Sequence, residues 1–338
     1  MITPNTLMFA PKGVFMYKMI MVPTDGSGFD HEALRVALLI AQRCRADVRL
    51  VRVFPTGAFF GIESSPEAAR ISVQMLEQER ERIGGELQKL AAECRKTCDA
   101  QIDVALEDGP IPDALEAYAS RNKVDLIVIS SHGRGGIARL SLGSVTDMLI
   151  RRTAVPVLVV KPAASYLRTE AGELLRSIIV PLDGSRLAEQ ILPEARALAK
   201  AGGGRIKLLH VLASRTSVQM RSGELRWWNK DVAAARAYLA RIAAKLHADG
   251  FITTSEVVVG DNIAEAIVEH AVSEKANVIA IATHGRSGVS RVIRGSVADV
   301  VTRTSRTSML VLRPAGIFVD AARASDIHLP DRAPAIVW

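Results

Sequence analysis

The chain has 338 residues, 49% of them hydrophobic, 23% charged and 4% aromatic. That balance can bury a core, which excludes a disordered or low-complexity chain, and no apolar run approaches the roughly 18 residues that a membrane helix needs. The formal net charge of +7 raises nucleic acid as a partner. The basic residues, however, are scattered along helix-like stretches with few aromatics and no nucleic-acid motif, so they read as a solvated surface.

Met1–Phe15 precedes a second methionine, Met16, and lacks the basic start and long apolar core of a signal peptide. It is read as an extension. Lys18–Thr24 is then a short β-branched run, and His31–Arg45 carries Ala33, Val36, Ala37 and Ile40 at helical spacing. Strand character returns over Asp47–Phe54, followed by a long helical stretch, Pro66–Thr97, and a strand over Gln101–Glu107. Gly109 punctuates the turn into a helix at Ile111–Ser120. Asp125–Ser130 is a buried-type strand, Ser144–Arg152 is helical, and Pro156–Val160 is a final strand. The cysteines, Cys44, Cys94 and Cys98, lack the second pair that a zinc site requires and are read as reduced thiols in a cytoplasmic chain.

After a short linker, Ala163–Glu173, the same succession returns. Its elements are Ser177–Leu182, Leu187–Ala201, Ile206–Leu212, Trp228–Ala248, Thr254–Val259, Ile263–Ser273, Val278–Ala282, Val297–Thr304 and Met309–Leu312. An internal repeat underlies this. His132-Gly133-Arg134 with Gly143-Ser144-Val145 matches His284-Gly285-Arg286 with Gly295-Ser296-Val297, each pair 152 residues apart. Pro23-Thr24-Asp25-Gly26-Ser27 matches Pro181-Leu182-Asp183-Gly184-Ser185 at an interval of 158. Residues 16–162 and 174–314 are therefore two domains of one kind, each of ordinary domain size, and Ala315–Trp338 is a tail.

Strands alternating with helices imply right-handed crossovers and a mainly parallel sheet covered on both faces. The expected fold is α/β, two tandem doubly wound sheets of five strands each. In such sheets ligands bind beyond the carboxyl ends of the strands, where strand order reverses. Asp25 and Asp183 follow the first strands and the glycine-rich blocks follow the fourth, so both should meet in one crevice per copy. Gly133 and Gly285 would admit a phosphate closely, and the amides of Gly143-Ser144-Val145 and Gly295-Ser296-Val297 would open a helix towards an anion, with Ser144 and Ser296 also capping it. The standard NTPase and dinucleotide motifs are both missing.

These residues resemble the universal stress protein family, whose ATP-binding members carry G-x2-G-x9-G-[ST] after the fourth strand and an Asp after the first. Gly133 with Gly143-Ser144 and Gly285 with Gly295-Ser296 fit that spacing, while the motif's first glycine is Ser130 in one copy and Ala282 in the other. The resemblance implies ATP, with Mg2+, as ligand. It places adenosine against Pro23, Thr24, Asp25 and Val53, and against Pro181, Leu182, Asp183 and Val211. Phosphates and ribose would fall to Gly133, Arg134, Gly143, Ser144 and Val145, or to Gly285, Arg286, Gly295, Ser296 and Val297, with Gly109 and Gly260 lining the pocket.

His132 and His284 have no paired nucleophile and read as structural, and Trp227-Trp228 reads as packing or an interface. Three classes follow: a nucleotide-binding stress-response module, a slow ATPase or autophosphorylating enzyme, and a nucleotide-independent adaptor. No clear general base or acidic metal pair supports the enzyme, so the first class leads, acting on an unidentified protein partner. The first copy is expected to bind more tightly, because Thr24 and Ser130 offer hydroxyls where Leu182 and Ala282 offer none. Short apolar fifth strands at both sheet edges should pair antiparallel, making the chain an intramolecular pseudo-dimer that can pair again as a homodimer.

Overall fold

Five buried or half-buried residues, Met19–Pro23, form β1, and their apolar character on both faces suits a strand covered by helices above and below. The computed structural model describes residues 17–28, 30–54, 66–131, 142–161, 171–214, 222–283 and 297–314, with the side chains of 66–71, 171–172 and 222–228 excepted. After β1 the first half runs α1 (Asp30–Cys44), β2 (Asp47–Phe54), α2 (Pro66–Arg95), β3 (Ile102–Asp108), α3 (Ile111–Arg121), β4 (Leu126–Ser130), α4 (Ser144–Arg152) and β5 (Val157–Val160). A 3-10 turn at Ala171–Leu175, inside the expected linker, leads into the second half.

That half runs β6 (Ser177–Pro181), α5 (Arg186–Glu189), α6 (Leu192–Gly202), β7 (Arg205–Ala213), α7 (Ser222–Ala248), β8 (Thr253–Gly260), α8 (Ile263–Ser273), β9 (Val278–Ala282), α9 (Val297–Thr304) and β10 (Ser308–Leu312). The single helix expected over Leu187–Ala201 is thus two. Pro193 sits in the first turn of α6, where its missing N–H breaks the hydrogen-bond ladder least, and Ser185 caps the short α5 by accepting from the Ala188 amide at 3.1 Å.

The strands form one sheet in the order β3-β2-β1-β4-β5-β10-β9-β6-β7-β8. Within each half all pairings are parallel, and the halves meet where β5 and β10 pair antiparallel, Leu158 opposite Leu310. The chain is therefore an intramolecular pseudo-dimer. Apolar residues on the two faces of this sheet build two core layers, and each layer draws on both halves: Leu158, Val160 and Leu310 belong to one, Val157, Val159, Met309 and Val311 to the other. Alternation along a strand is what divides them.

Polar contacts repeat across the pseudo-twofold axis. Arg151 reaches Asp299 at 2.8 Å and Arg303 reaches Asp147 at 2.8 Å, while each aspartate also holds its own helix's arginine four residues on. Not every contact is repeated: Tyr17 donates to Glu194 Oε2 at 2.6 Å, and the corresponding positions, Leu175 and Val36, are buried and apolar. The three cysteines are buried free thiols. Among the described residues no helix is long and apolar enough to cross a membrane.

Candidate functional site

The strand order reverses at β1/β4 in the first half and at β6/β9 in the second, and there the carboxyl ends of neighbouring strands diverge. In the second half this point holds a cleft enclosing about 590 Å³ of space open to solvent. Leu209, Val211 and Ile281 form its strand floor, Ile267 of α8 and Val297 and Ala298 of α9 one wall, and Leu182, Leu187 and Ala188 the other. Pro181, Asp183 and Ala282 complete it. Among the described residues Asp183 is the one ionisable residue that lines it, and their surface suits a flat, largely apolar group carrying polar substituents at one end.

The loop after each first strand is shaped by its own aspartate. Asp25 Oδ1 accepts the Ser27 amide and Asp183 Oδ1 the Ser185 amide, both at 2.8 Å, the local turn that Asp forms two residues ahead of itself. Asp183 does not cap the helix that follows it; Ser185 has that role. Beneath the second loop lies His210, buried, with its Nδ1 lacking a hydrogen-bond partner; burial holds its pKa below the ordinary value, opposed by the nearby Asp183 charge. The equivalent residue of the first half, Arg52, is buried and paired with Glu86 at 3.0 Å.

At the start of α4 the expectation needs two corrections. Gly143, with extended dihedrals, is the N-cap and accepts the Asp147 amide at 2.9 Å, so Ser144 is the first helical residue and does not cap. The Gly143 amide itself donates to the Ser131 carbonyl at 3.0 Å and is not directed at a ligand. A Cβ there would approach that carbonyl to 3.2 Å, which explains glycine by close backbone packing. Ser144 and Val145 supply the first helical amides of α4. Thr146 Oγ1 donates back to the Ser130 carbonyl at 3.3 Å and ties this helix to the end of β4.

Pro181, Leu182, Asp183, Val211 and Val297 all line the second cleft, as does Ala282 at the motif's first position. Pro23, Thr24, Asp25, Val53, Ser130 and Val145 hold the matching places in the first half, at the ends of β1, β2 and β4 and in the first turn of α4. Gly109 and Gly260 stand at the ends of β3 and β8, and Gly260 is not among the residues lining the second cleft. Gly133, Arg134, Gly285, Arg286, Gly295 and Ser296, with His132 and His284, lie outside the described residues. Trp227 and Trp228 fall within α7, where their side chains are likewise not described.

Two features escaped the sequence reading. One is Asp30, which enters the first-half loop and which only comparison with Ala188 at the same repeat position could have flagged. The other is a cluster on the second half's outer edge, where Glu256, His270 and Glu274 bring ligand-type atoms within 4.8 Å of one another. Lys207 Nζ lies 2.7 Å from Glu256 and 3.0 Å from Glu274, so the chain's own ammonium pairs with both carboxylates and the group reads as an ion-pair cluster.

The sequence profile described as the universal stress protein family matches residues 16–161 and again 175–313. Universal stress protein Rv2005c of Mycobacterium tuberculosis is 24% identical over 304 residues, covering 87% of this chain and 96% of its own length. Universal stress protein MJ0531 of Methanocaldococcus jannaschii is 32% identical over 149 residues, which is 44% of this chain and 85% of that one. Among solved structures, a universal stress protein from Archaeoglobus fulgidus superposes with a TM-score of 0.63 at 18% identity, covering 88% of this chain and 98% of its own. A putative one from Pseudomonas aeruginosa gives 0.58 at 18% identity, with 89% and 95% covered. These two structures speak to the fold, while the profile speaks to descent: the chain belongs to the universal stress protein family, with one copy of its domain in each half.

Proposed function

We propose that this protein binds ATP, with Mg2+ as its counter-ion, in the crevice between the first and fourth strands of a copy, and that occupancy governs its engagement of a protein partner as a cytoplasmic stress-response or signalling module. The observation that carries the reading is the second-half cleft. An apolar slot between Leu182, Val211 and Ile281 suits a purine ring, Asp183 at its rim suits ribose hydroxyls, and the start of α9 suits the phosphates.

Isothermal titration of the full chain with ATP and magnesium tests this, with Ala282→Leu as the discriminating variant because its added branch fills the cleft. Binding that the variant weakens at least about tenfold supports the reading; no heat at millimolar ATP overturns it. The Ser130 and Ala282 replacements of the motif's first glycine favour the nucleotide-independent adaptor as second reading, and that reading requires no ATP uptake at all. ADP accumulation during incubation would instead mark a slow ATPase. Pairing of two chains into a homodimer belongs to the same proposal and is tested by light scattering.

A further inference from the structure

The second-half cleft and the matching place in the first half share a strand plan and differ in side chains. Four residues that line the second, Leu182, Ala188, Ala282 and Ala298, correspond in the repeat to Thr24, Asp30, Ser130 and Thr146 of the first. Of these exchanges, Ala188 against Asp30 has the largest consequence. Asp30 opens α1 and turns its carboxylate back onto the loop that follows β1. Its Oδ2 accepts from Thr24 Oγ1 at 2.6 Å, from the Asp25 amide at 3.0 Å and from the Gly26 amide at 3.3 Å.

Three donors of the first loop therefore converge on one oxygen belonging to the chain. The Thr24 hydroxyl, which the sequence offers as a ligand contact, is committed to Asp30. In the second half Leu182 has no hydroxyl, Ala188 has no acceptor, and the corresponding wall is apolar. A nucleobase laid on the first wall would have to cover an ionised carboxylate, and covering a charge with an apolar ring removes hydration that nothing replaces. The group is already short of water: burial raises the Asp30 pKa, the Thr24 hydrogen bond opposes this, and the neighbouring Asp25 charge raises it further. A ligand bearing phosphates would also meet two carboxylates, Asp25 and Asp30, where Asp183 is the one carboxylate among the described residues lining the second cleft.

We propose that the second half alone takes a nucleoside triphosphate, and that Asp30 closes the first half's cleft to it as an internal anion held in the loop amides. This rests on the nucleotide reading above and reverses the expectation that the first copy binds more tightly.

Photolabelling of the full chain with 8-azido-ATP and magnesium, followed by peptide mapping, tests the assignment without any substitution, and calorimetry supplies the number of sites. The expected result is label confined to peptides of the second half and one ATP per chain. Asp30→Ala should raise the stoichiometry to two, and Ala188→Asp should cut second-half labelling at least about tenfold, with circular dichroism melts confirming that each variant is folded. Label in the first half of the wild-type protein, two sites before substitution, or a single site persisting in a folded Asp30→Ala protein would each overturn the inference while leaving ATP binding intact. No ATP uptake by the wild-type chain would overturn the nucleotide reading itself, and this assignment with it.

Discussion

In the first half, the loop between β1 and α1 folds onto Asp30; in the second, the loop between β6 and α5 is tied by Ser185 and leaves an apolar wall facing the cleft. The strands under both loops pair in the same register, Pro23 with Val51 and Pro181 with Leu209. The duplicated domain has thus kept the strand register beneath these loops while exchanging the side chains above it. Backbone geometry is fixed by hydrogen-bonded neighbours on both sides. A lining residue has only solvent or ligand to satisfy, and it is free to diverge.

The sharpest way to break this comparison is to separate the halves. Leu158 and Leu310 face each other at the centre of the sheet, and both are fully buried. Either one changed to Ala should cost about 2–5 kcal/mol. Because they are neighbours, the double variant should depart from additivity by at least about 0.5 kcal/mol. Urea unfolding measures both quantities, and the shared core layers predict one transition for the whole chain. Two separate transitions in the wild-type protein would show that the halves are thermodynamically independent.

Next in size is a contact that has no symmetry mate, Tyr17 with Glu194. Tyr17→Phe leaves Glu194 half-buried without its donor and should cost about 1.5–3 kcal/mol, the range for a hydrogen bond to a charged group. Burial raises the Glu194 pKa above its ordinary 4.5, with the Tyr17 bond opposing. The native state therefore holds the proton more tightly than the unfolded one. The stability linked to it is present below the unfolded value and is lost as pH rises through the native value. Glu194→Gln should remove that decline, flattening the stability profile just above 4.5 and leaving the protein at least as stable at neutral pH. A profile unchanged by this substitution would sink the argument.

A smaller difference lies after α1 and α6. Ala46 of the first half corresponds to Gly204 of the second, where a Cβ would fall against the Leu175 carbonyl oxygen and within 2.8 Å of the Arg176 carbonyl oxygen. Gly204→Ala should cost about 1–3 kcal/mol by overpacking, whereas Ala46→Gly should cost only about 0.5–1 kcal/mol. Equal costs would mean that the 3-10 turn yields and that the halves are not distinguished there.

The smallest effects sharpen the symmetry. Arg151→Ala and Arg303→Ala each break an exposed cross-axis pair and should cost about 0.2–1 kcal/mol, equally and less at high salt. A clear inequality between them would show that the pseudo-twofold relation of the backbone does not extend to the energetics of this surface.

The repeat of His-Gly-Arg and Gly-Ser-Val, the alternation of apolar runs with helical spacing and the turn glycines determined the α/β class, the two copies and the elements of each, because these depend on neighbours a few residues away. Spacing along the chain could also show that Asp25 and Asp183 follow first strands. Pro193 was visible too, but a helix with a break two residues before its proline reads locally as one helix, and the division into α5 and α6 emerged from the three-dimensional path. Edge-strand character suggested that the fifth strands meet; the register of Leu158 on Leu310 was decided by the two core layers that must align across both halves. Only the tertiary structure brought Tyr17 to Glu194 and turned the Asp30 carboxylate onto the Thr24 hydroxyl and the Asp25 and Gly26 amides. A side chain's role in a site depends on which donors the folded backbone aims at it, and the order of residues does not carry that direction.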